Sequence, residues 1–246
     1  GRVVMWRGGS AWVSRETGPV PPHAHHAIQV TLSPDGPIRI RDAAATSWSE
    51  ARASVVMPNR PHAFDGCGQR VAMMFVEPES TAGRALLARF GGTSLSTIND
   101  ARVLDHARAL LAALGSGSDD SRLVADARAT VELIAGRVSE PVPLDPRITA
   151  VVEWLHDRIE LPVTLAQAAA AAHLSPSRFR HLFVQQTGIS FRAYLLWSRV
   201  SRAIVRGMAG ESWTDAAQAS GFSDSAHLTR TCRRMFGIAP SMLARG

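Results

Sequence analysis

The chain has 246 residues, 46% of them apolar and 20% charged, with 19 Gly and 14 Pro, which excludes a disordered or fibrous protein and allows one or two domains with real cores. Its 27 basic residues, all Arg, stand against 21 acidic ones for a net charge of +6; residues 1–145 hold 15 of each kind, and residues 146–246 hold 12 Arg against 6 acids, so the basic part is a nucleic-acid candidate. Two cysteines, Cys67 and Cys232, form neither a disulfide framework nor a four-cysteine zinc site, and without a long apolar run or a signal-like segment the expectation is a cytoplasmic protein with no membrane span.

From Val3 to about Val76 the pattern is that of short strands. Ala27 to Leu32 alternates, Ser54 to Met57 and Val71 to Val76 are compact apolar runs, and the turn formers Pro34 to Pro37, Pro58 to Pro61 and Asp65 to Gly68 separate them, which predicts a small barrel or sandwich. Within this region, Pro22-His23-Ala24-His25-His26-Ala27-Ile28-Gln29 leads into a strand and Pro58-Asn59-Arg60-Pro61-His62 leaves another. Alternation along one strand puts His23, His25 and Gln29 on one side and His26 on the other. The two segments resemble the two halves of a cupin barrel. That resemblance implies a metal site of His23, His25 and His62, with Gln29 where the family usually carries a carboxylate; three imidazoles suit Zn, Ni, Fe or Cu. The same residues are expected to line an effector pocket in the barrel interior.

Between Thr81 and Val138 the texture becomes helical. Leu86, Leu87 and Phe90, then Leu104, Ala107, Leu110, Leu111 and Leu114, then Val124, Ala127, Val131, Ile134 and Val138 recur at three- and four-residue spacing, with an interruption at Gly115 to Ser118. Three prolines in the eight residues from Ser139 to Pro146 mark a linker. The predicted organisation is a barrel over 1–80, a helical segment over 81–138, a linker over 139–146 and an all-helical domain over 147–246, an α+β chain overall.

In the last domain Asp145 is placed to cap a helix with Pro146 at its first position, and Thr164 with Gln167 has the form of a capping box. Ser175-Pro176 starts a second helix ending at Gly188. Two short helices joined by a tight turn make a helix-turn-helix unit, whose second helix is shaped for a DNA major groove. The arrangement returns about 47 residues later, from Ser212, through Gly221-Phe222, to a helix capped by Ser223 with Leu228, Cys232 and Phe236 inward. A long helix from Ser190 to about Met208 joins the copies.

These residues resemble the AraC/XylS family of bacterial transcription regulators over Ile148 to Arg245, through Leu165-Ala166-Gln167-Ala168-Ala169, Leu174-Ser175-Pro176-Ser177-Arg178-Phe179, Thr187-Gly188, Gly221-Phe222-Ser223-Asp224 and Phe236-Gly237-Ile238-Ala239-Pro240. Leu228 and Cys232 depart from it, standing where the family carries bulkier aromatics. The resemblance implies that both second helices enter successive major-groove segments of double-stranded DNA. Helix geometry then nominates Ser177, Arg180, His181 and Gln185 on the first and Ser225, Thr229 and Arg230 on the second as base readers, with Arg178 and Arg233 at the phosphates. Arg199 is the candidate for an internal structural role. The resemblance also implies a homodimer formed through 81–138, a small-molecule or metal effector and contact with RNA polymerase. The competing function is a metal-dependent cupin oxygenase or isomerase with an incidental helical tail, against which Gln29 and the lack of a nearby acid/base carboxylate count. A constitutive DNA-binding protein with an idle barrel is the third reading.

Overall fold

The computed structural model describes residues 2–15, 18–115, 119–136 and 142–243. Val138, residues 116–118 of the helix interruption and residues 139–141 of the linker lie outside them. The chain divides into two compact units, one of residues 1–141 together with 232–246, the other of residues 142–231.

The first unit is built on two antiparallel sheets. The larger takes β1 (Arg2–Trp6), β2 (Gly9–Arg15), β9 (Arg70–Val76), β4 (Ile28–Leu32), β7 (Ala53–Val56) and β10 (Leu95–Thr97) in that order. The smaller takes β3 (Pro19–His23), β8 (His62–Asp65), β5 (Ile38–Asp42) and β6 (Ser49–Ala51). All five residues of β4 are buried, because both faces of this central strand are covered. Ile28, Val30 and Leu32 share a core with Met74 and Val76 of β9 and with residues of the three helices that follow, α1 (Thr81–Phe90), α2 (Ala101–Gly115) and α3 (Asp120–Ala135). Gln29 and Thr31 alternate to the other face, where the Gln29 amide reaches the Thr31 hydroxyl at 3.0 Å.

The helical stretch contains one element that its periodicity conceals. Leu95–Thr97 pairs with Val56 to Ser54 as an edge strand of the larger sheet, so residues 81–138 are not helical throughout. A three-residue strand is too short to print an alternation that can be told from a loop. Leu111, Val131 and Ile134 are buried in the core under the sheet, while Leu104 and Val124 are partly buried against it.

The second unit opens with α4 (Pro146–His156), where Asp145 accepts from Arg147 N and Pro146 occupies the first turn. Next come α5 (Leu165–Ala171), α6 (Pro176–Thr187), α7 (Phe191–Met208) and α8 (Trp213–Ala219). Ile148, Val151 and Leu155 of α4, Ala168 and Ala169 of α5, Phe179 and Phe183 of α6, and Phe191, Tyr194 and Leu195 of α7 form one core. Its aromatic pairs meet mainly edge-to-face at 5.4 to 5.5 Å between centroids. Helix α9 (Ser225–Phe236) begins in this unit and ends in the first, which takes over at Cys232; the short α10 (Pro240–Leu243) follows. No helix among the described residues is long and apolar enough to cross a membrane.

Candidate nucleic-acid interface and histidine pocket

The two helix-turn-helix units repeat in their local chemistry. Thr164 and Gln167 form the full capping box at the start of α5, and Ser212 caps α8 through Asp215 N, 48 positions further on. The turn after α5 puts His173 at φ 54°, and its counterpart 48 positions on is Gly221 at φ 79°. At the next helix the offset becomes 49, because the second turn is one residue longer. Ser175 accepts from Arg178 N at the start of α6, and Asp224, not Ser223, accepts from His227 N at 2.6 Å at the start of α9. The Ser223 hydroxyl instead donates to the Asp224 carboxylate. Asp is as good a cap as Ser, so the sequence signal was off by one position. Gly188 and Gly237, again 49 apart, end the two helices with positive φ.

This register fixes which surface positions correspond. Phe179 and Phe183 of α6 match Leu228 and Cys232 of α9, and all four are buried. Ser177, Arg178, Arg180, His181 and Gln185 are exposed on α6. Among the described residues, the Arg180, His181 and Gln185 side chains make no hydrogen bond or ion pair. On α9, Arg230 and Arg233 are exposed and Ser225 and Thr229 half-buried. Cap for cap, Arg180 corresponds to Thr229, His181 to Arg230 and Gln185 to Arg234, while Ser177 corresponds to Ala226 and not to Ser225. Val184 is the residue the charge-and-polarity reading passes over. It is an apolar side chain left 41% exposed in the middle of the α6 stripe, in the position that Arg233 holds on α9.

Several other arginines are occupied within the second unit. Arg202 and Arg206 both bond to Glu160, and Arg206 also bonds to Glu211 at 2.9 Å. Arg199 donates to the Leu161 carbonyl at 3.2 Å, its Nε is buried without a partner, and burial lowers its pKa. A Cβ on Gly221 would stand 3.0 Å from that guanidinium. Arg199 therefore braces the second turn from within, as expected.

In the first unit the histidines converge, by a route different from the one alternation suggested. They do not share a strand with Gln29: His23 ends β3 in the smaller sheet, His25 lies in the connection that crosses between sheets, and Gln29 is on β4 in the larger one. His62 opens β8 and pairs directly with His23. The three imidazoles bring one ring nitrogen each within 4.8 Å of one another. All three are buried, as is Gln29. His26 turns away and its Nε2 meets buried Glu79 at 2.7 Å.

Each of the three rings is oriented by a main-chain carbonyl two residues away. Nδ1 donates to Pro21 O in His23, to Ala27 O in His25 and to Arg60 O in His62, each at 2.9 Å. Burial lowers the pKa of all three; the neighbouring imidazoles push His25 and His62 down further, His62 to about 4. A neutral ring whose Nδ1 carries the proton presents Nε2 as a lone pair. The Gln29 side chain stands 3.0 Å from His25 Nε2 and 3.3 Å from His62 Nε2. The atom facing both imidazoles is Gln29 Oε1, while Gln29 Nε2 donates to the Thr31 hydroxyl; exchanging the amide's near-equivalent O and N would turn the NH2 to the imidazole lone pairs. Three ring nitrogens within 4.8 Å of one another, each ring fixed by a bond on its opposite nitrogen, are a set that could hold a metal ion.

The rest of the pocket is aromatic and was not legible beside the histidines. Trp12, Val20, His23, Gln29, Phe64 and Met73 line it with Phe75, Phe236 and Ile238. Trp12 and Phe75 have centroids 4.6 Å apart, and the ring of His25 lies edge-on to Phe75 at 5.1 Å. The signal for Trp12 and Phe75 was present in the period-2 pattern of β2 and β9, which puts both on the face opposite the helices; the sheet pairing that brings them to His25 was not.

Residues 168–246 match the family model described as a helix-turn-helix domain. In sequence, the chain is 29% identical over 92 residues to the uncharacterized HTH-type transcriptional regulator YpdC of Escherichia coli, covering 37% of this chain and 32% of that protein. It is 28% identical over 148 residues to the HTH-type transcriptional activator RhaS of Klebsiella pneumoniae, covering 57% and 53%, and 28% identical over 106 residues to the arabinose operon regulatory protein of Salmonella typhimurium, covering 42% and 38%. The alignments thus span about a third to a half of these relatives. Structures of ToxT from Vibrio cholerae share the fold, one at a TM-score of 0.63 with 11% identity over 97% of both chains, another at 0.59 with 13% identity over 98% of both. Paired capped helices, positive-φ turns and the match to the helix-turn-helix model over residues 168–246 thus fall in one region.

Proposed function

We propose that this protein is a ligand-responsive, sequence-specific DNA-binding transcriptional regulator, with α6 and α9 reading adjacent major-groove segments. The observation that carries this reading is the repeated unit itself: two helices in one cap register, each with a stripe of exposed donors, in the basic part of the chain. On α6, Arg180 offers a bidentate fork to guanine, Gln185 to adenine, and Val184 a surface for a thymine methyl group. On α9, Arg230 is the corresponding reader, with Thr229 beside it. Arg178 and Arg233 take phosphates, joined by Arg234 from the cap register. The relatives named above are regulators, which supports the same reading.

The test is selection of binding sites from random duplexes by the full chain. A selected site with two conserved segments about one helical turn, roughly 10 base pairs, apart is the expected result. Recovery of no preferred sequence, with binding that disappears uniformly as salt rises, would refute it.

The histidine pocket is the effector site in this reading. Its three lone pairs favour a divalent transition ion, Zn, Ni, Fe or Cu, held by His23, His25 and His62, and its apolar walls suit an organic ligand. One solved structure of ToxT has an unsaturated fatty acid bound, which supports a small-molecule role for a unit of this fold. Equilibrium dialysis of the untagged chain followed by elemental analysis decides the metal: close to one equivalent is expected, falling in His62→Ala. Less than a tenth of an equivalent that added metal does not restore removes the idea. We further propose a homodimer through the outer faces of α2 and α3, where Leu104 and Val124 stay partly exposed. Sedimentation at micromolar concentration tests it, and a monomer with and without DNA would exclude it. RNA polymerase is the remaining partner this reading carries.

A further inference from the structure

The pocket already holds a ring. Phe236, the last residue of α9, sits with its centroid 5.0 Å from that of Trp12, 5.5 Å from Phe75, and 5.9 Å from His25, nearly parallel to the imidazole at 29°. It is 5% exposed. Ile238 lines the same space two residues on. The sequence pattern makes Phe236 an inward residue of its own helix-turn-helix unit; here its ring also completes an aromatic cage in the unit that contains the histidines.

The segment lies directly on β3. A Cβ on Gly237 would stand 2.5 Å from Val20 Cγ1, 3.0 Å from Pro21 O and 3.2 Å from His23 Nδ1, and the residue has φ +74°. Only glycine allows this approach in this conformation. With the segment seated, the room left in the pocket is about 30 Å³, one water and no organic ligand.

These facts carry a conclusion about both the occupant and the ligand. We propose that Phe236-Gly237-Ile238 is a built-in, displaceable occupant of the histidine pocket, and that the effector is a planar aromatic molecule with a polar group that takes the place of the Phe236 ring. Such a ring meets what Phe236 meets: edge and face contacts with Trp12 and Phe75, and a stacking surface on His25. The polar group faces the histidine cluster and the Gln29 amide, to which the apolar Phe236 ring offers no hydrogen bond. An aliphatic chain of equal volume fills the space but gains neither the ring contacts nor the stacking. This deepens the effector reading given above and rests on it.

The experiment compares the full chain with Phe236→Ala and Phe236→Leu, using benzoate, phenylacetate and indole as probes and cyclohexylacetate as the saturated control, by calorimetry. A ligand that must first displace an internal occupant binds with its affinity reduced by the fraction of molecules already open. Phe236→Ala is therefore expected to bind at least one aromatic probe tenfold or more tighter than the unmodified chain, with cyclohexylacetate weaker throughout. Phe236→Leu, which keeps apolar filling and the fold, is expected between the two. Any buried Phe→Ala change opens a cavity, so the second readout is amide hydrogen exchange over residues 232–238. In the unmodified chain, saturating probe speeds exchange there; in Phe236→Ala it does not. Equal affinities, binding that leaves exchange over 232–238 unchanged, or no probe bound by any of the three proteins overturns the proposal. Neither readout involves DNA, so a chain that recognises no duplex still reports on the occupant, and a failed occupant leaves the DNA reading standing.

Discussion

Replacing Arg180 by Ala separates base reading from folding, because the structure decouples the two. The guanidinium is exposed on the second turn of α6 and, among the described residues, has no side-chain partner. Nothing internal is lost. Arg and Ala are both strong helix formers, so stability should change by less than about 0.3 kcal/mol. The helix keeps its Ser175 cap, its buried Phe179 and Phe183 and its Gly188 terminus. Binding to the selected duplex should weaken by about 1–3 kcal/mol, on the order of fivefold to 150-fold, the discrimination one bidentate arginine–guanine pair supplies. Fluorescence anisotropy against the selected site and its single-base variants, from 50 to 200 mM salt, gives the pattern. One base pair should lose its preference while the others keep theirs. If affinity instead falls equally on every variant and the salt dependence flattens by about one counterion, Arg180 is a phosphate contact and the assignment of the α6 stripe is wrong.

Other expectations follow from particular contacts. Gly221→Ala forces a Cβ at φ 79° within 3.0 Å of the Arg199 guanidinium and should destabilise the helical unit by about 1–2 kcal/mol in urea unfolding; an unchanged midpoint would show that Arg199 does not brace the turn. His173→Gly at the matching turn should be nearly neutral, since relief at φ 54° is offset by roughly 0.4–1 kcal/mol of unfolded-chain entropy. Thr164→Ala removes the side-chain half of a capping box and should cost about 1 kcal/mol, read as a lower melting temperature. Burial pushes the Cys232 thiol up to about 12, whereas Cys67 is exposed. A thiol reagent at pH 8 should therefore modify one cysteine per folded chain and two in denaturant; two fast-reacting thiols in the native protein would contradict the burial of α9's inner face.

The helical caps were legible because a cap is local. Asp145 with Pro146, Thr164 with Gln167, and Ser175 with Pro176 each state their function within four residues, and the structure returns all three. The α9 cap slipped from Ser223 to Asp224 because two adjacent residues are chemically competent and only the turn length chooses between them. The histidine set was legible as a list and not as a geometry. Its members sit on an edge strand, a crossover and the neighbouring strand of the same sheet, with Gln29 in the other sheet, and alternation along a single strand cannot describe a chain that changes sheets between His23 and Gln29. The ring cage was illegible for a harsher reason. Trp12, Phe75 and Phe236 are spread over more than two hundred positions, and only strand pairing across β2, β9 and β4 together with the end of α9 assembles them. Leu95–Thr97 escaped notice because its pairing with β7 is long-range while its own pattern is three residues long.

The carbonyls that aim the three imidazoles belong to Pro21, Ala27 and Arg60, and it is their oxygen atoms alone that matter. Any amino acid supplies that oxygen. The side chains at these positions are thus open to exchange without disturbing the rings, provided the loop keeps its path. The count of residues is not open: one inserted or deleted between Pro21 and His23, or between Arg60 and His62, would shift the acceptor away from Nδ1 and release the tautomer. The arrangement of the rings is encoded in spacing, so a motif search that scores neighbouring letters would overlook it while one that measures intervals would find it.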